Sequence, residues 1–251
     1  IKMKVITVPC LSDNYAYVLV DEKAGEVSVV DPVEPDKVIP VVEGTKLKLK
    51  TILTTHHHAD HAGGNQGMVK AFPGLTVYGG DGSRIPGLTN QLEDGAKFQL
   101  GSLSVQAMQT PGHTTSSICY YIQDAEQRVV FTGDTLFVGG CGRLFEGSPQ
   151  DMYTSLNEKL AALPKDTSVY AGHEYTRANL RFALSVEPDN QALREKARRC
   201  ASVDCTMPSS IGEELATNPF MRVDQPDLQK AAGATDPVQV LAAIRRMKDN
   251  F

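Results

Sequence analysis

The sequence predicts an α/β fold, strand-rich over its first two thirds and helical in its last third. Short runs of Val, Ile, Thr and Tyr alternate with Gly, Pro and Asp up to His173, after which three- and four-residue apolar spacing takes over. The strands expected, in order, are Lys4–Val8, Tyr15–Val20, Val27–Val30, Thr51–Thr54, Thr76–Tyr78, Leu103–Met108, Ser117–Ile122, Val129–Thr132 and Ser168–Tyr170. Several are apolar throughout, which predicts burial on both faces and hence helices or a second sheet packed outside them. A helix should begin at Ser148-Pro149-Gln150-Asp151, where a capping residue, a proline at the first helical position and an acid follow one another. Met152, Leu156, Leu160 and Leu163 then give it one buried stripe. From Tyr175 the pattern is helical, with loops at Glu187–Asn190 and Met207–Ser210. The last helix starts at Asp236-Pro237, carries Val238, Leu241 and Ile244 on one face, and ends on Arg245, Arg246 and Lys248, whose charge suits the carbonyl end of a helix. Two domains are therefore expected, residues 1–173 and 174–251.

Bulk properties narrow the function classes. A chain of 251 residues with 41% hydrophobic and 22% charged residues has the composition of an ordinary globule, and no apolar run is long enough to span a bilayer. The formal net charge of −5 argues against nucleic acid as a partner, because phosphate binding shows as a basic excess. Cys10, Cys119, Cys141, Cys200 and Cys205 are odd in number, scattered and without a CxxC pair, so a reducing compartment is expected rather than a disulfide framework. The opening segment Ile1–Ile6 lacks the apolar core of a secretion signal. The expected location is cytoplasmic, with the mitochondrial matrix as the alternative, and the expected state is a monomer.

The histidines carry the chemistry. Four of the six stand in the run His56-His57-His58-Ala59-Asp60-His61, directly after an apolar stretch. His113 follows Thr110-Pro111-Gly112, His173 follows Ala171-Gly172, and Asp134 closes the apolar run Val129–Gly133. In an extended segment His56, His58 and Asp60 share a face while His57 points the other way. The run can thus offer two donors to each of two ions, with His113 and His173 completing the sets and Asp134 between them. Imidazole and carboxylate donors with open positions for water suit a catalytic divalent ion, whereas structural zinc is normally held in closed, cysteine-rich tetrahedra.

These strings, with Gly140-Cys141-Gly142-Arg143, His173-Glu174-Tyr175-Thr176, Asn218–Arg222 and the closing Arg245–Phe251, resemble the metallo-β-lactamase superfamily and, within it, the glyoxalase II (hydroxyacylglutathione hydrolase) family, from about Met3 to Phe251. The resemblance implies an αββα sandwich followed by a small C-terminal helical domain that helps bind glutathione. It implies two divalent ions, zinc first with iron or manganese as alternatives: one on His56, His58 and His113, the other on Asp60, His61 and His173, with Asp134 shared. Asp60 and Asp134 would take the catalytic roles; whether Asp60 is a ligand or a proton handler stays open. Glutathione would be met by Arg143, Phe145 and Tyr175 and by Arg245 and Lys248 of the last helix. Asp31 and Cys141 could support the metal shell, though Asp31 could equally cap a turn before Pro32.

Two departures from the family stand out. Phe145 replaces a frequent Tyr, removing one hydroxyl contact to glutathione, and Ser117 stands near where a second His often follows Gly-His-Thr.

The implied reaction is hydrolysis of S-D-lactoylglutathione and related 2-hydroxyacyl thioesters to the free acid and glutathione. The residue inventory agrees with a thioester. With five histidines committed to metal and His57 turned away, no histidine acid remains, and a thiol of pKa near 8.5 departs without one. Alternatives are another activity on the same fold (β-lactam hydrolysis, or sulfur oxidation at a single iron) and a non-catalytic homologue that binds metal or glutathione.

Overall fold

The computed structural model describes residues 3–251, which fall into two compact units. One comprises the chain up to Gln109 together with Ser116–Gly133; the other comprises Thr110–Thr115 and Asp134–Phe251.

The first unit is built on two sheets. Strands β1 (Lys4–Cys10), β2 (Asn14–Asp21), β3 (Glu26–Val30), β4 (Lys48–Leu53), β5 (Thr76–Gly79) and β6 (Asn90–Gln91) lie side by side in chain order. The first three form an antiparallel meander, with Cys10 opposite Asn14 across the turn. From β3 onward the pairing is parallel, which requires crossovers. Helix α1 (Pro35–Thr45) bridges β3 to β4, and α2 (Ala59–Ala62) and α3 (Asn65–Ala71) bridge β4 to β5. Alternation along β2 sends Ala16, Val18 and Val20 into a core shared with Val38, Val42 and Met68 of the crossover helices. Its other face, Tyr15, Tyr17 and Leu19, is buried as well.

That second face meets the antiparallel sheet β7 (Lys97–Leu100), β8 (Leu103–Gln109), β9 (Ile118–Gln123) and β10 (Arg128–Gly133), in the order β10-β9-β8-β7. The Tyr17 ring lies 5.3 Å from that of Phe131, Tyr78 stacks on Phe98 at 4.3 Å, and the Tyr120 hydroxyl donates to the Thr54 carbonyl at 2.6 Å. Truncating Phe131 to Ala between the sheets should cost about 3–5 kcal/mol. All nine expected strands are present; Thr54 and Ser117 fall just outside theirs. The polar-looking Lys97–Leu100 escaped the sequence pattern because only one of its faces packs inward.

The second unit carries the hairpin β11 (Leu136–Phe137) and β12 (Gly140–Cys141), then α4 (Pro149–Tyr153). As expected, Ser148 caps α4, with Asp151 closing a reciprocal capping box. The helix does not continue in α form: Thr154–Lys159 is a π-helical stretch and Leu160–Ala162 a 3₁₀ turn. Met152, Leu156 and Leu160 recur every four residues, a spacing wider than the α period, and the widened turns keep all three buried. Leu163 lies past the last turn and is only half-buried. Strand β13 (Ser168–Ala171) follows, then α5 (Thr176–Val186), α6 (Gln191–Cys200), β14 (Ser209–Ser210), α7 (Ile211–Thr217), α8 (Pro226–Ala232) and α9 (Pro237–Asp249). The segment expected as a loop at Met207–Ser210 thus contributes a two-residue strand, Ser209 and Ser210 pairing with Val169 and Ser168. In α9 the fully buried face is Val240, Leu241, Ile244 and Arg245, with Val238 at its margin.

Buried charge ties this unit together. The Lys196 ammonium on α6 meets the Glu214 carboxylate on α7, both almost wholly buried. Glu214 also accepts the Gly139 N–H at 2.7 Å, and Asn218 donates to the carbonyls of Phe137 and Gly140 at 3.2 and 3.0 Å. Such a pair adds little net stability, but losing one partner would cost about 3–5 kcal/mol.

Candidate metal centre and basic helix end

In the first unit β4 delivers the chain into the histidine run. The run is not extended throughout, as the sequence had suggested: Asp60 and His61 already lie in the helical turn α2, for which His58 is the residue before the first turn. The turn replaces strict alternation, so Asp60 comes beside His61 rather than continuing the face of His56 and His58. The rings of His56 and His61 are 4.2 Å apart, those of His56 and His58 4.8 Å. His61 Nε2 stands 3.3 Å from Asp60 Oδ2. Two ligands at about 2.0–2.2 Å on one tetrahedral ion stand about 3.4 Å apart, so this separation is that of two donors to a single ion.

His56, His61 and Asp60 are braced from behind. Asp31, buried at the end of β3 with φ of +48°, accepts from Thr55 N–H at 2.8 Å, from the Thr55 hydroxyl at 2.6 Å and from His61 Nδ1 at 2.8 Å. Because the Thr55 hydroxyl spends its proton on Asp31, its oxygen accepts from His56 Nδ1 at 3.0 Å. One carboxylate thus sets the tautomer of two histidines and directs both Nε2 lone pairs outward. Asp31 spans strand, threonine and histidine rather than merely capping the turn at Pro32. Asn14, on β2, donates to the Asp60 carbonyl at 2.9 Å and to Asp60 Oδ2 at 3.0 Å. Sequence reasoning missed Asn14 and Thr55; neither residue type in isolation signals a partner. His57 goes elsewhere: its Nε2 accepts from Arg84 Nη1 at 3.1 Å, and Arg84 is held by Asp81, whose carboxyl is kept far below the usual range chiefly by Arg84 and Ser83 against the cost of its burial.

In the second unit three separate loops supply the donors. Asp134 Oδ2 lies 3.4 Å from His113 Nε2 and 3.3 Å from His173 Nε2, so one oxygen faces two imidazoles at the ligand-to-ligand spacing. Asp134, His113 and His173 are all buried. His113 Nδ1 donates to the Arg143 carbonyl at 2.8 Å, which fixes its tautomer. Its loop is pinned by Ser155, which donates to the Pro111 carbonyl at 2.8 Å. Gly142 is obligatory here: a Cβ would stand 1.9 Å from the Asp134 carbonyl oxygen and 3.0 Å from His113 Nδ1. The ring of Tyr175 stacks on His173 at 4.6 Å and 5° and leaves its edge exposed, while Phe145, also exposed, meets His113 edge-on at 5.3 Å. Ser117 belongs to the first unit, where it is buried just before β9.

The basic end of α9 differs from the solvated cluster its sequence suggests. Arg245 is buried, donating from Nη1 to the Cys141 carbonyl at 2.6 Å and from Nε and Nη2 to Asp249 at 3.1 and 2.8 Å, with its guanidinium 5.2 Å from the Phe220 ring centre. Arg143, exposed, reaches the same Asp249 oxygen at 3.3 Å. Lys248 is half-buried, and its amine is held below the ordinary lysine range by burial first and then by the neighbouring Arg245 charge. Cys141 supports this end through its carbonyl; burial raises its thiol.

Each half-set therefore offers imidazole and carboxylate donors at ion-binding separations, a donor chemistry that fits zinc, iron or manganese. The fold and these donors define a metallohydrolase class, and the sequence profile of the Metallo-beta-lactamase superfamily matches residues 12–173, while that of the Hydroxyacylglutathione hydrolase C-terminus matches 174–251. A cytoplasmic hydroxyacylglutathione hydrolase of Arabidopsis thaliana is 48% identical over 256 residues, covering 99% of each chain. A hydroxyacylglutathione hydrolase of Synechococcus sp. is 44% identical over 259 residues, covering 99% of this chain and 100% of its own. Among solved structures, ETHE1 from Myxococcus xanthus superposes with a TM-score of 0.68 at 26% identity, covering 99% of this chain and 98% of that one. The chain belongs to the hydroxyacylglutathione hydrolase (glyoxalase II) family of that superfamily.

Proposed function

We propose that this chain hydrolyses S-D-lactoylglutathione and related 2-hydroxyacylglutathiones to the 2-hydroxy acid and glutathione. We assign residues 1–173 as catalytic and 174–251 as the domain that binds the peptide. Its half-sets, His56, His58 and His113 for one ion and Asp60, His61 and His173 for another with Asp134 in common, would hold two divalent ions, zinc first. The carrying observation is the Asp134 oxygen facing two histidines at 3.3 and 3.4 Å; the histidine run of the other unit is, within itself, already braced for ligation. Bound there, two such ions would lower the pKa of a water to about 7 and polarise the thioester carbonyl.

The chain's own groups do the rest. Asp31 and Thr55 keep the protons of His61 and His56 on Nδ1, and the Arg143 carbonyl does the same for His113, so these three need not change tautomer during turnover. Asn14 holds Asp60 in place as an acceptor. Lys248 and Arg143 present cations to the peptide carboxylates, and Arg245, tied to Cys141 and Asp249, fixes the floor beneath them. The leaving thiolate, of intrinsic pKa near 8.5, departs unprotonated, which matches a site without a spare histidine. Tyr175 and Phe145 supply apolar walls; with Phe at 145, peptide binding relies on one hydroxyl fewer.

Among the described residues no helix is long and apolar enough to cross a membrane. We place the chain in the cytoplasm, as the Arabidopsis relative is, and as a monomer.

The test is one purified sample assayed for bound metal and for loss of thioester absorbance. Two equivalents of metal with rapid lactoylglutathione hydrolysis are expected; a folded, metal-loaded protein inert toward that thioester would sink the reading.

A further inference from the structure

A cavity in the second unit lies on the N-terminal turns of α5, with Tyr175 in its wall, and has a volume of about 310 Å³. That size falls at the lower end of small-molecule clefts, which run about 300–1,000 Å³. Its charged lining residues divide sharply. Glu174 accepts from Thr206 N–H at 2.6 Å and from the Thr206 hydroxyl, and Arg177 donates to the carbonyls of Cys200 and Val203 at 3.4 and 2.9 Å. Both are committed to holding the 200–206 loop against α5. The remaining two, Arg181 and Asp204, are exposed and form no hydrogen bond or ion pair with any described residue, including each other. Arg181 is close enough to Lys248 to depress its basicity, so the cavity and the basic end of α9 share one electrostatic neighbourhood.

An unpaired cation and an unpaired carboxylate in one cleft match a ligand group that carries both charges. Glutathione has such a group at one end only: its γ-glutamyl residue bears an α-carboxylate and an α-ammonium, whereas its glycine end is a plain carboxylate. The two cation sets would then divide the peptide. Lys248 and Arg143 face a simple carboxylate, and the Arg181–Asp204 cleft faces a zwitterion.

We propose that the cleft lined by Tyr175, Arg181 and Asp204 is the γ-glutamyl subsite, with Arg181 taking the α-carboxylate and Asp204 the α-ammonium. The inference rests on the thioesterase reading above and gives it a specificity element. Exposure of both side chains limits the effect, because solvent screens such pairs.

The experiment compares two lactoyl thioesters, that of glutathione and that of N-acetylcysteinylglycine, which lacks the γ-glutamyl charges and keeps the cysteine nitrogen as an amide, so that the acyl group stays on sulfur. They are tested on the metal-loaded parent, Arg181→Ala, Asp204→Asn and the double variant. For the glutathione thioester each single substitution should lower kcat/KM about three- to tenfold, mostly through KM, with the double variant losing less than the product of the two. With the N-acetylcysteinylglycine thioester all four proteins should agree within about twofold. Equal losses on both thioesters, or no loss on either, would overturn the subsite. A parent inert toward both would instead bring down the thioesterase reading, so the two failures are distinct. Circular dichroism and metal content unchanged from the parent are expected, since neither side chain packs against the core.

Discussion

The two half-sets reach similar donor geometry by opposite routes. In the first unit four donors come from six consecutive residues, and one carboxylate, Asp31, sets two of them through a chain of hydrogen bonds. In the second, His113, Asp134 and His173 come from loops 21 and 39 residues apart, by difference of position, and the two histidines are braced by different neighbours. The contiguous set concentrates its support in one buried, left-handed residue; the dispersed set concentrates its ligation in one shared oxygen. A contiguous run is therefore most vulnerable behind the ligands, and a dispersed one at the ligand where its loops converge.

The largest effect is expected at that convergence. Asp134→Ala removes the oxygen facing both His113 and His173, and should cost metal content and more than the roughly 100-fold in activity that loss of a bracing partner costs. Metal analysis together with kcat reads it; retention of two ions with near-parental kcat would remove Asp134 from the shared position. Next comes Asp31→Ala, expected to weaken metal affinity by roughly 10–100-fold in chelator competition, because both His61 and Thr55 lose their acceptor. Were the support within the contiguous set spread evenly over its donors, removing Asn14 would match it. Asn14→Ala instead takes one amide from Asp60 and leaves the histidines braced, so a loss of no more than about tenfold is expected in the same titration.

The smallest effect concerns the peptide end. Lys248 is held below the ordinary lysine pKa by burial and like charge, so its ammonium gives up a proton more readily than that of a free lysine. The ammonium that attracts a carboxylate is lost as pH rises through that lowered value, and KM should climb on the alkaline side earlier than an ordinary lysine, near 10.4, would allow. In Lys248→Met the climb should vanish and KM should be raised about threefold at neutral pH. Arg245→Ala should differ in kind: its guanidinium is buried on Cys141 and Asp249, so thermal stability should fall along with substrate affinity.

The candidate ligand positions could be singled out in the sequence because metal chemistry restricts the residue types and glycines mark where the chain must bend around them. The His56–His61 run, His113, Asp134 and His173 needed no geometry to be singled out. What surrounded them was much less legible. Asn14 and Thr55 act through one amide and one hydroxyl, groups found everywhere on a surface, and only pairing across β2, β3 and β4 brings them to Asp60 and Asp31. Asp249 drew no assignment from the sequence, yet one of its oxygens holds two arginines. The longer strands were found where apolar residues ran together, while the two-residue Leu136–Phe137 was not. Ser209–Ser210 was not, because its strand character comes entirely from its partner.

The Lys196–Glu214 pair bears on how the helical unit opens. Its carboxylate is reached from α6, from α7 and from the turn of the β11–β12 hairpin at once, so pulling any one of these away strands a charge where water does not reach. Piecemeal fraying of these elements is thereby discouraged, and amide exchange should register α6, α7 and the Gly139 turn as one cooperative block with a common protection level, while the exposed residues 201–205 exchange on their own.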